Sequence, residues 1–545
     1  MKKTISFSLL LTTLAFSSIG FAQKSAKPNV LFIAIDDLKP DMGCYGNKMV
    51  KTPNIDRLAK MGTVFMNNYV QQAVCGPTRA SLMTGKRPDY TKVWDLKTKM
   101  RDINPNILTI SQYFASQGYS SQGIGKVYDS RCVDKKMDEP SWSVPYYNYF
   151  KTEERYYAKE TGMPVSGAYQ SPETKVLVTK FRKEAEDKGM NEKDADDYVS
   201  KKIKPSIECV DVPDNAYNDG ANVVRAIEIL EKLKSETKPF FFAVGFSKPH
   251  LPFVSPKKYW DLYKREDMPV APFQEKSKNA VDVAYHNAGE LRGYSDIPPL
   301  TSFTDQKSFG LTLPLDKQKE LIHGYYAAIA YTDAQVGKLL KALDSLGLTK
   351  NTIIVLWGDH GWHLGDHNIW CKHSSFEQAT HAPLIISSPG IASNKTNSLS
   401  EHVDVFPTLC DLAGLAIPSQ LQGKSLKSVM KNPAMSVKEF SVSQYPRAGA
   451  NEQDSRIETT PAIMGYSIRT SQYRYTIWMK NAFRSTLPFN AASVIGEELY
   501  DYNADPLEKF NVAKDEKYAP VTKKLHAEML AYFKSQESKL AITKQ

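Results

Sequence analysis

The sequence predicts an α/β protein built on a large, mainly parallel sheet flanked by helices, with a smaller C-terminal α+β unit beside it. Three observations carry that expectation. Short, continuous apolar runs at residues 29–35, 239–246 and 352–357 have the length and unbroken hydrophobicity of strands buried on both faces. Helical patterns at residues 107–117, 221–233 and 318–346 alternate with such runs, as parallel βαβ packing requires. After about residue 430 the texture changes to short strand-like runs that follow one another directly, which suits a small antiparallel sheet.

At 545 residues the chain exceeds one ordinary domain, and its composition, 41% hydrophobic and 24% charged, is that of a soluble globular protein. The first 22 residues read as a secretory signal. Lys2 and Lys3 form a basic start, residues 5–19 are apolar, and Gly20-Phe21-Ala22 offers a small-x-small cleavage site. That apolar stretch is short for a membrane span, and no later run reaches the needed length. No cysteine precedes Cys44 to take a lipid at the cleavage site. The expectation is a secreted or periplasmic protein without stable membrane insertion. The formal charge of +10 is spread along the chain, as on a solvated surface, and is compatible with an anionic polymer as partner. No nucleic-acid motif is present. The six cysteines are scattered, with no CxxC pair, and their spacing specifies no pairing.

In chain order, the run at 29–35 ends in Asp36-Asp37. Two carboxylates about 4 Å apart in one pocket would repel by roughly 4 kcal/mol at an effective dielectric of 20, so they need a cation unless they form only a solvated turn. Residues 52–59 read as a helix opened by a Thr52 cap and Pro53. Then comes Cys75-Gly76-Pro77-Thr78-Arg79-Ala80-Ser81-Leu82-Met83-Thr84-Gly85, an amphipathic helical run that starts beside a proline and stops at a glycine. Cys75 therefore belongs at a helix N-terminus, where free N–H groups and the helix dipole favour anions, although a buried structural cysteine fits position alone equally well.

A strand at 119–125 delivers Lys126, the strand at 239–246 leads to His250, and the strand at 352–357 ends in Asp359-His360. A further strand is expected at 383–387. Residues 173–204 read as a solvated charged helix or, more sharply, a lid, and residues 270–315 as a long surface loop. Strands at 439–444, 462–469, 473–479 and 498–502 and a terminal helix from about Tyr518 complete the chain. Singly, Lys126 reads as a surface lysine, His250 as a loop histidine and Asp359 as a turn former. Jointly, four strand ends deliver ligand-type or catalytic groups to the edge where open α/β sheets build their sites.

These residues carry a resemblance. Cys75-Gly76-Pro77-Thr78-Arg79 resembles the C-x-P-x-R signature of type I, formylglycine-dependent sulfatases, and Leu82-Met83-Thr84-Gly85 resembles its continuation. Thr84–Asp89, Gly125-Lys126-Val127, Phe241–Phe246 with Lys248-Pro249-His250, and Asp359–Trp362 with Leu364-Gly365 resemble the iduronate-2-sulfatase-like branch, and Glu498–Asp501 with Asp505-Pro506 resembles the family's C-terminal subdomain. The resemblance implies an alkaline-phosphatase-like sheet in a catalytic domain over residues 23–430 and a subdomain over 431–545. It implies oxidation of Cys75 to formylglycine by a maturing enzyme, whose hydrate attacks sulfur and later expels sulfate. It implies one Ca²⁺ held by Asp36, Asp37, Asp359, His360 and residue 75, lowering the nucleophile's pKa. Arg79, Lys126 and Lys372 match positions that hold the nucleophile and the sulfate oxygens, and His250 matches the general acid. The implied substrate is an O-sulfated carbohydrate of glycosaminoglycan or algal type, with a 2-O-sulfated uronic acid favoured by the branch.

Two positions depart from the pattern. Thr78 stands where Ser or Ala is usual. Asp129 stands where the branch has histidine three residues after the lysine, so Asp129 is a candidate base and the neighbouring His363 a candidate substitute in sulfate binding. Two other readings remain: a phosphatase or phosphodiesterase of the same superfamily, which needs a Ser/Thr nucleophile and two metals, and a catalytically silent glycan-binding protein.

Overall fold

The strand Asn29–Ile35 (β1) is the spine of a seven-stranded sheet. The computed structural model describes residues 27–147, 152–298, 310–447, 463–480 and 493–541, so the signal segment expected at 1–22 lies outside the described residues. The other strands are Thr63–Tyr69 (β2), Ser120–Gly125 (β3), Phe240–Phe246 (β4), Thr352–Gly358 (β5), Leu384–Ser387 (β6) and Asn394–Glu401 (β7). They lie in the order β7-β2-β6-β5-β1-β4-β3. β1 pairs in parallel with β4 and β5, β3 in parallel with β4, and β7 in parallel with β2. Only β6 runs against its neighbours. The mainly parallel sheet expected from the apolar runs is present.

Alternation along β1 divides the core. Leu31, Ile33 and Ile35 face the layer holding the helices Asn218–Lys234 and Leu315–Ser345. Val30, Phe32 and Ala34 face the layer holding Cys75–Thr84, Ile110–Ser116 and Val405–Leu412. Burial on both sides is why these strands are apolar at every position.

The register sets the site. Ile35 pairs with Phe246 and with Gly358, and Gly125 with Gly245, so β5, β1, β4 and β3 end at one level in adjacent positions. Gly245 is needed for that alignment. A Cβ there would come within 2.1 Å of the Lys126 carbonyl carbon, and one on Gly125, at φ +78°, within 2.0 Å of the Gly245 oxygen. Two bare backbones let β3 close against β4 and turn Lys126 inward.

Several expectations need correction. The helix Cys75–Thr84 is not amphipathic: all ten of its residues are buried, with Gly85 at φ 63° as its left-handed stop. Thr52 does precede the helix Pro53–Ala59, but its hydroxyl does not cap it. It accepts from Gly43 N–H (3.1 Å), while Asp333 of the long helix takes the N–H groups of Asn54 (3.1 Å) and Ile55 (2.7 Å). The stretch at 270–315 is not a surface loop throughout: Tyr285, Ala288, Leu291 and Ile297 are buried. The charged run is two helices, Pro172–Asp187 and Glu192–Lys202, with mostly solvated faces.

The C-terminal unit is an antiparallel sheet of Ser441–Arg447, Ile463–Arg469, Tyr473–Lys480 and Val494–Asp501 in chain order, covered by the helix Ala519–Ala541. Leu525, Met529 and Phe533 pack on Tyr466, Ile468 and Tyr475. Arg87, forked onto Glu401 of β7 (2.8 Å for both bonds), also donates to the Val442 carbonyl (3.3 Å), and Asp89 accepts from Tyr466 (3.1 Å) and Gln444 (3.0 Å). The Thr84–Asp89 motif thus joins the two units rather than lining a site. Among the described residues no helix is long and apolar enough to cross a membrane, and all six cysteines are free.

The glycine pair yields a prediction. Gly245→Ala sets a methyl group against backbone that cannot swing aside. It should cost about 3 kcal/mol of stability, the upper end of overpacking effects, read as a lower urea midpoint with unchanged slope.

Candidate active site at the ends of four parallel strands

Asp36 and Asp37 leave β1, Asp359 and His360 leave β5, Lys126 leaves β3, and His250 lies in the turn after β4. Their side chains meet over the N-terminus of the Cys75–Thr84 helix. The Cys75 thiol is buried, 3.5 Å from His360 Nε2 and 4.0 Å from Asp37 Oδ1. Asp37 sits at φ 55°, a left-handed conformation that turns its carboxylate back under the strand ends. Its N–H donates to Asp359 Oδ1 (2.9 Å) and its carbonyl accepts from Tyr325 (2.7 Å).

Arg79 ties the cluster together from below. Its Nε donates to Asp359 Oδ2 (3.0 Å), Nη2 to Asp36 Oδ1 (2.9 Å), and Nη1 to the carbonyls of Val127 (3.0 Å) and Lys126. Arginine suits this place because one planar fork serves two carboxylates at once. Lys126 pairs with the other Asp36 oxygen. Burial alone would raise the Asp36 pKa, but the Lys126 and Arg79 charges hold it well below the usual carboxylate range. Asp37 fares differently: burial pushes it up to about 7, against the charge of Lys372 and with Asp36 and Glu290 adding to the rise.

Lys372 reaches Asp37 Oδ1 (3.0 Å) and Oδ2 (3.2 Å) and also Glu290 Oε1 (2.9 Å). It comes from a turn in which Cys371 (φ 75°) and His373 (φ 54°) are both left-handed, a conformation costing on the order of 1–3 kcal/mol per residue and typical of functional sites. His250 places Nδ1 on the Leu251 carbonyl and turns Nε2 toward Glu290 Oε1 (3.2 Å) and Asp37 Oδ2 (3.7 Å). Burial, Lys372 and Lys126 lower its pKa, and Asp36 and Glu290 oppose that. Glu290, with His373 Nε2 on its other oxygen (3.2 Å), is the site residue that sequence reasoning missed. Nothing in its neighbourhood marks it: it is one acid in a polar, turn-rich stretch.

The structure brings together Asp36, Asp37, Cys75, Arg79, Lys126, His250, Asp359, His360 and Lys372. It does not bring His363 to them: that ring is fully buried, with Nε2 on Ser374 (2.8 Å). Asp129 lies close by but is engaged with Arg131 through Oδ1 (2.9 Å) and Oδ2 (2.7 Å). Burial would raise its pKa, yet the Arg131 bonds hold it at about 2, so it stays a paired carboxylate at neutral pH and is poorly suited to act as the expected base. Thr78, the other departure, has a structural use. Its hydroxyl donates to the Asp359 carbonyl (2.9 Å), tying helix to strand end.

The donor set fits a hard cation. Potential ligand atoms of Asp36, Asp37, Cys75 and His250, and of Cys75, Asp359 and His360, lie within 4.8 Å of one another in each group. Three of the six residues supply carboxylate oxygens, and a divalent ion would stabilise their charged forms at this depth.

A buried carboxylate cluster, ringed by fixed cations at the carboxyl edge of a doubly covered sheet, defines a hydrolytic centre for tetrahedral oxyanion esters. The sequence matches the sulfatase family over residues 28–415 and the C-terminal region of N-sulphoglucosamine sulphohydrolase over residues 365–535. Iduronate 2-sulfatase of Mus musculus is 33% identical, covering 95% of this chain and 97% of its own length. Delta 4,5-hexuronate-2-O-sulfatase of Bacteroides thetaiotaomicron is 28% identical, covering 92% and 87%. A solved structure described as a 2-O GAG sulfatase shares the fold, with a TM-score of 0.59 at 22% identity over 94% of this chain and 93% of that one. The chain belongs to the sulfatase family and is a sulfuric ester hydrolase.

The Thr78 tether can be tested. Thr78→Val leaves the Asp359 carbonyl without its donor and should cost about 1–3 kcal/mol in chemical denaturation, whereas Thr78→Ser should retain most of that stability.

Proposed function

We propose that the protein is an exported sulfatase that removes O-sulfate from a sulfated carbohydrate containing uronic acid, of glycosaminoglycan or algal type. The observation that carries this reading is the convergence of Cys75, three buried carboxylates and three fixed cations at one helix N-terminus. Likeness over nearly the whole chain to relatives named for iduronate and hexuronate 2-O-sulfates supports the substrate class. The signal-like residues 1–22 support export as a secreted or periplasmic enzyme.

Formylglycine made from Cys75 by a maturing enzyme would supply a hydrated aldehyde as nucleophile at residue 75. Asp36, Asp37, Asp359 and His360 with residue 75 would hold Ca²⁺, which would supply Lewis acidity there. The chain's own residues do the rest. Arg79 holds Asp36 and Asp359 in place, so the carboxylates need not reorganise during turnover. Lys126 and Lys372, each on one carboxylate of the Asp36-Asp37 pair, are placed to bind sulfate oxygens once a cation shares that negative charge. His250, with Nδ1 committed to a backbone carbonyl, presents Nε2 for proton transfer to the leaving sugar oxygen, and Glu290 favours its protonated form. A phosphatase or phosphodiesterase of the same superfamily would call for Ser or Thr in place of Cys75. A silent glycan binder would have no use for the complete carboxylate set.

Four outcomes are expected. Peptide mapping of protein from its native host should find residue 75 converted to the aldehyde, and a panel of sulfated oligosaccharides should release sulfate. Unmodified cysteine with no release from any substrate would refute the proposal. Cys75→Ala should abolish turnover while leaving the melting transition intact. Chelation should remove activity, and Ca²⁺ should restore it. Finally, His250→Gln should slow sugar sulfates about 10²–10⁴-fold but aryl sulfates of acidic phenols far less, because only the poorer leaving group needs the proton.

A further inference from the structure

We propose that Arg131, locked onto Asp129 at the rim of the site, is a specificity-determining residue that receives a second oxyanion of the substrate, beside the scissile sulfate. The inference rests on the sulfatase reading above. Residues 126–132 are held at both ends. At one end the carbonyls of Lys126 and Val127 are held by Arg79, which the Cys75 helix carries. At the other end Cys132 packs onto Gly76, the residue after Cys75. A Cβ on Gly76 would lie 2.4 Å from the Cys132 sulfur, which itself contacts the Asp95 carbonyl at 3.4 Å. Asp129 and Arg131 are therefore bracketed between a cation of the site and the first turn of the nucleophile's helix.

The pair is asymmetric in depth. The Asp129 side chain is 3% exposed and that of Arg131 is 52% exposed. Asp129 is saturated by its partner: Oδ1 accepts from Arg131 N–H (3.0 Å) and Nε (2.9 Å), and Oδ2 accepts from Nη2 (2.7 Å). This uses the side-on edge of the guanidinium. The end-on edge, formed by Nη1 and the outer hydrogen of Nη2, turns away from Asp129, and no acceptor among the described residues takes it. A planar, always-charged fork of that kind matches a carboxylate or sulfate bidentately.

A half-exposed ion pair adds little to stability, so stability is a weak reason for fixing a long arginine in one rotamer. Preorganisation for an anion is a better one, because the side-chain entropy is lost before the ligand arrives. The arrangement also gives the unusual Asp129 a purpose. It is a positioning residue, acting on the substrate through Arg131. The oxyanion has two chemical sources: the carboxylate of the sulfated uronic acid itself, or a further sulfate on the adjoining sugar.

The test uses the full-length Cys75→Ala protein, so binding is read independently of turnover. Calorimetry would compare three oligosaccharides: a 2-O-sulfated hexuronate disaccharide, its carboxyl-reduced analogue, and the same disaccharide with an added sulfate on the neighbouring residue. Cys75→Ala should bind the best of these at least tenfold more tightly than the ligand lacking the recognised anion, and adding R131Q should erase that ratio. Loss of the carboxylate preference assigns the first source, and loss of the added-sulfate preference assigns the second. Because R131Q leaves Asp129 buried without its partner, the double change D129N/R131Q on the same background should show the same loss in a protein with no unpaired charge. Equal weakening of all three ligands, unchanged ratios, or no binding of any of them overturns the assignment. Failure of the wild-type enzyme to release sulfate would instead count against the functional reading, since the binding ratios are obtained without it.

Discussion

Three carboxylates, Asp36, Asp37 and Asp359, are buried together at the ends of adjacent strands, and their mutual repulsion is the constraint to which the surrounding structure answers. At about 4 Å each like-charged pair costs roughly 4 kcal/mol at an effective dielectric of 20, before desolvation is counted. Arg79 offsets part of this by serving two of them from a fully buried position. Lys126 and Lys372 offset more, one on each of the two consecutive aspartates. Burial still pushes Asp37 toward its neutral form, and a cation bound there would favour the charged one.

The same constraint explains where the backbone is strained and where it is bare. Asp37, Cys371 and His373 adopt left-handed conformations close to the cluster, because a relaxed path would point Asp37 or Lys372 elsewhere. Gly125 and Gly245 have no side chains because β3 must end in contact with β4 for Lys126 to arrive at Asp36. The family's fourth signature position, here Thr78, adds a hydroxyl tether that holds Asp359 from the helix side. Local cost is accepted at these points, and the apolar layers on both faces of the sheet sustain it.

Around this inner arrangement lie further acids and histidines that touch its cations. Glu290 touches Lys372, His250 and His373, and so couples the ammonium that faces the aspartates to the proposed proton donor. His367 pairs with Glu508 of the C-terminal unit at 3.5 Å and stacks on Phe376. Arg474 of that unit also pairs with Glu508. The C-terminal sheet thus buttresses the turn that carries Lys372 and is more than an appended unit.

The sequence by itself determined the parallel sheet and the residues at its strand ends. An apolar run of strand length and the charged residue that terminates it are both local features. It also placed Cys75 at a helix start, from the proline and glycine that bound that helix. It could not show that Asp333 rather than Thr52 caps the helix at Pro53, since the two positions are distant along the chain. Nor could it show that Glu290 enters the site from an unremarkable polar stretch, that His363 is sealed inside, or that Asp129 is spent on Arg131. Those facts depend on which side chains the packed chain brings within a few ångströms, and on how burial weights their charges. Such long-range pairings are decided only when the strands take their register and the helices close over them.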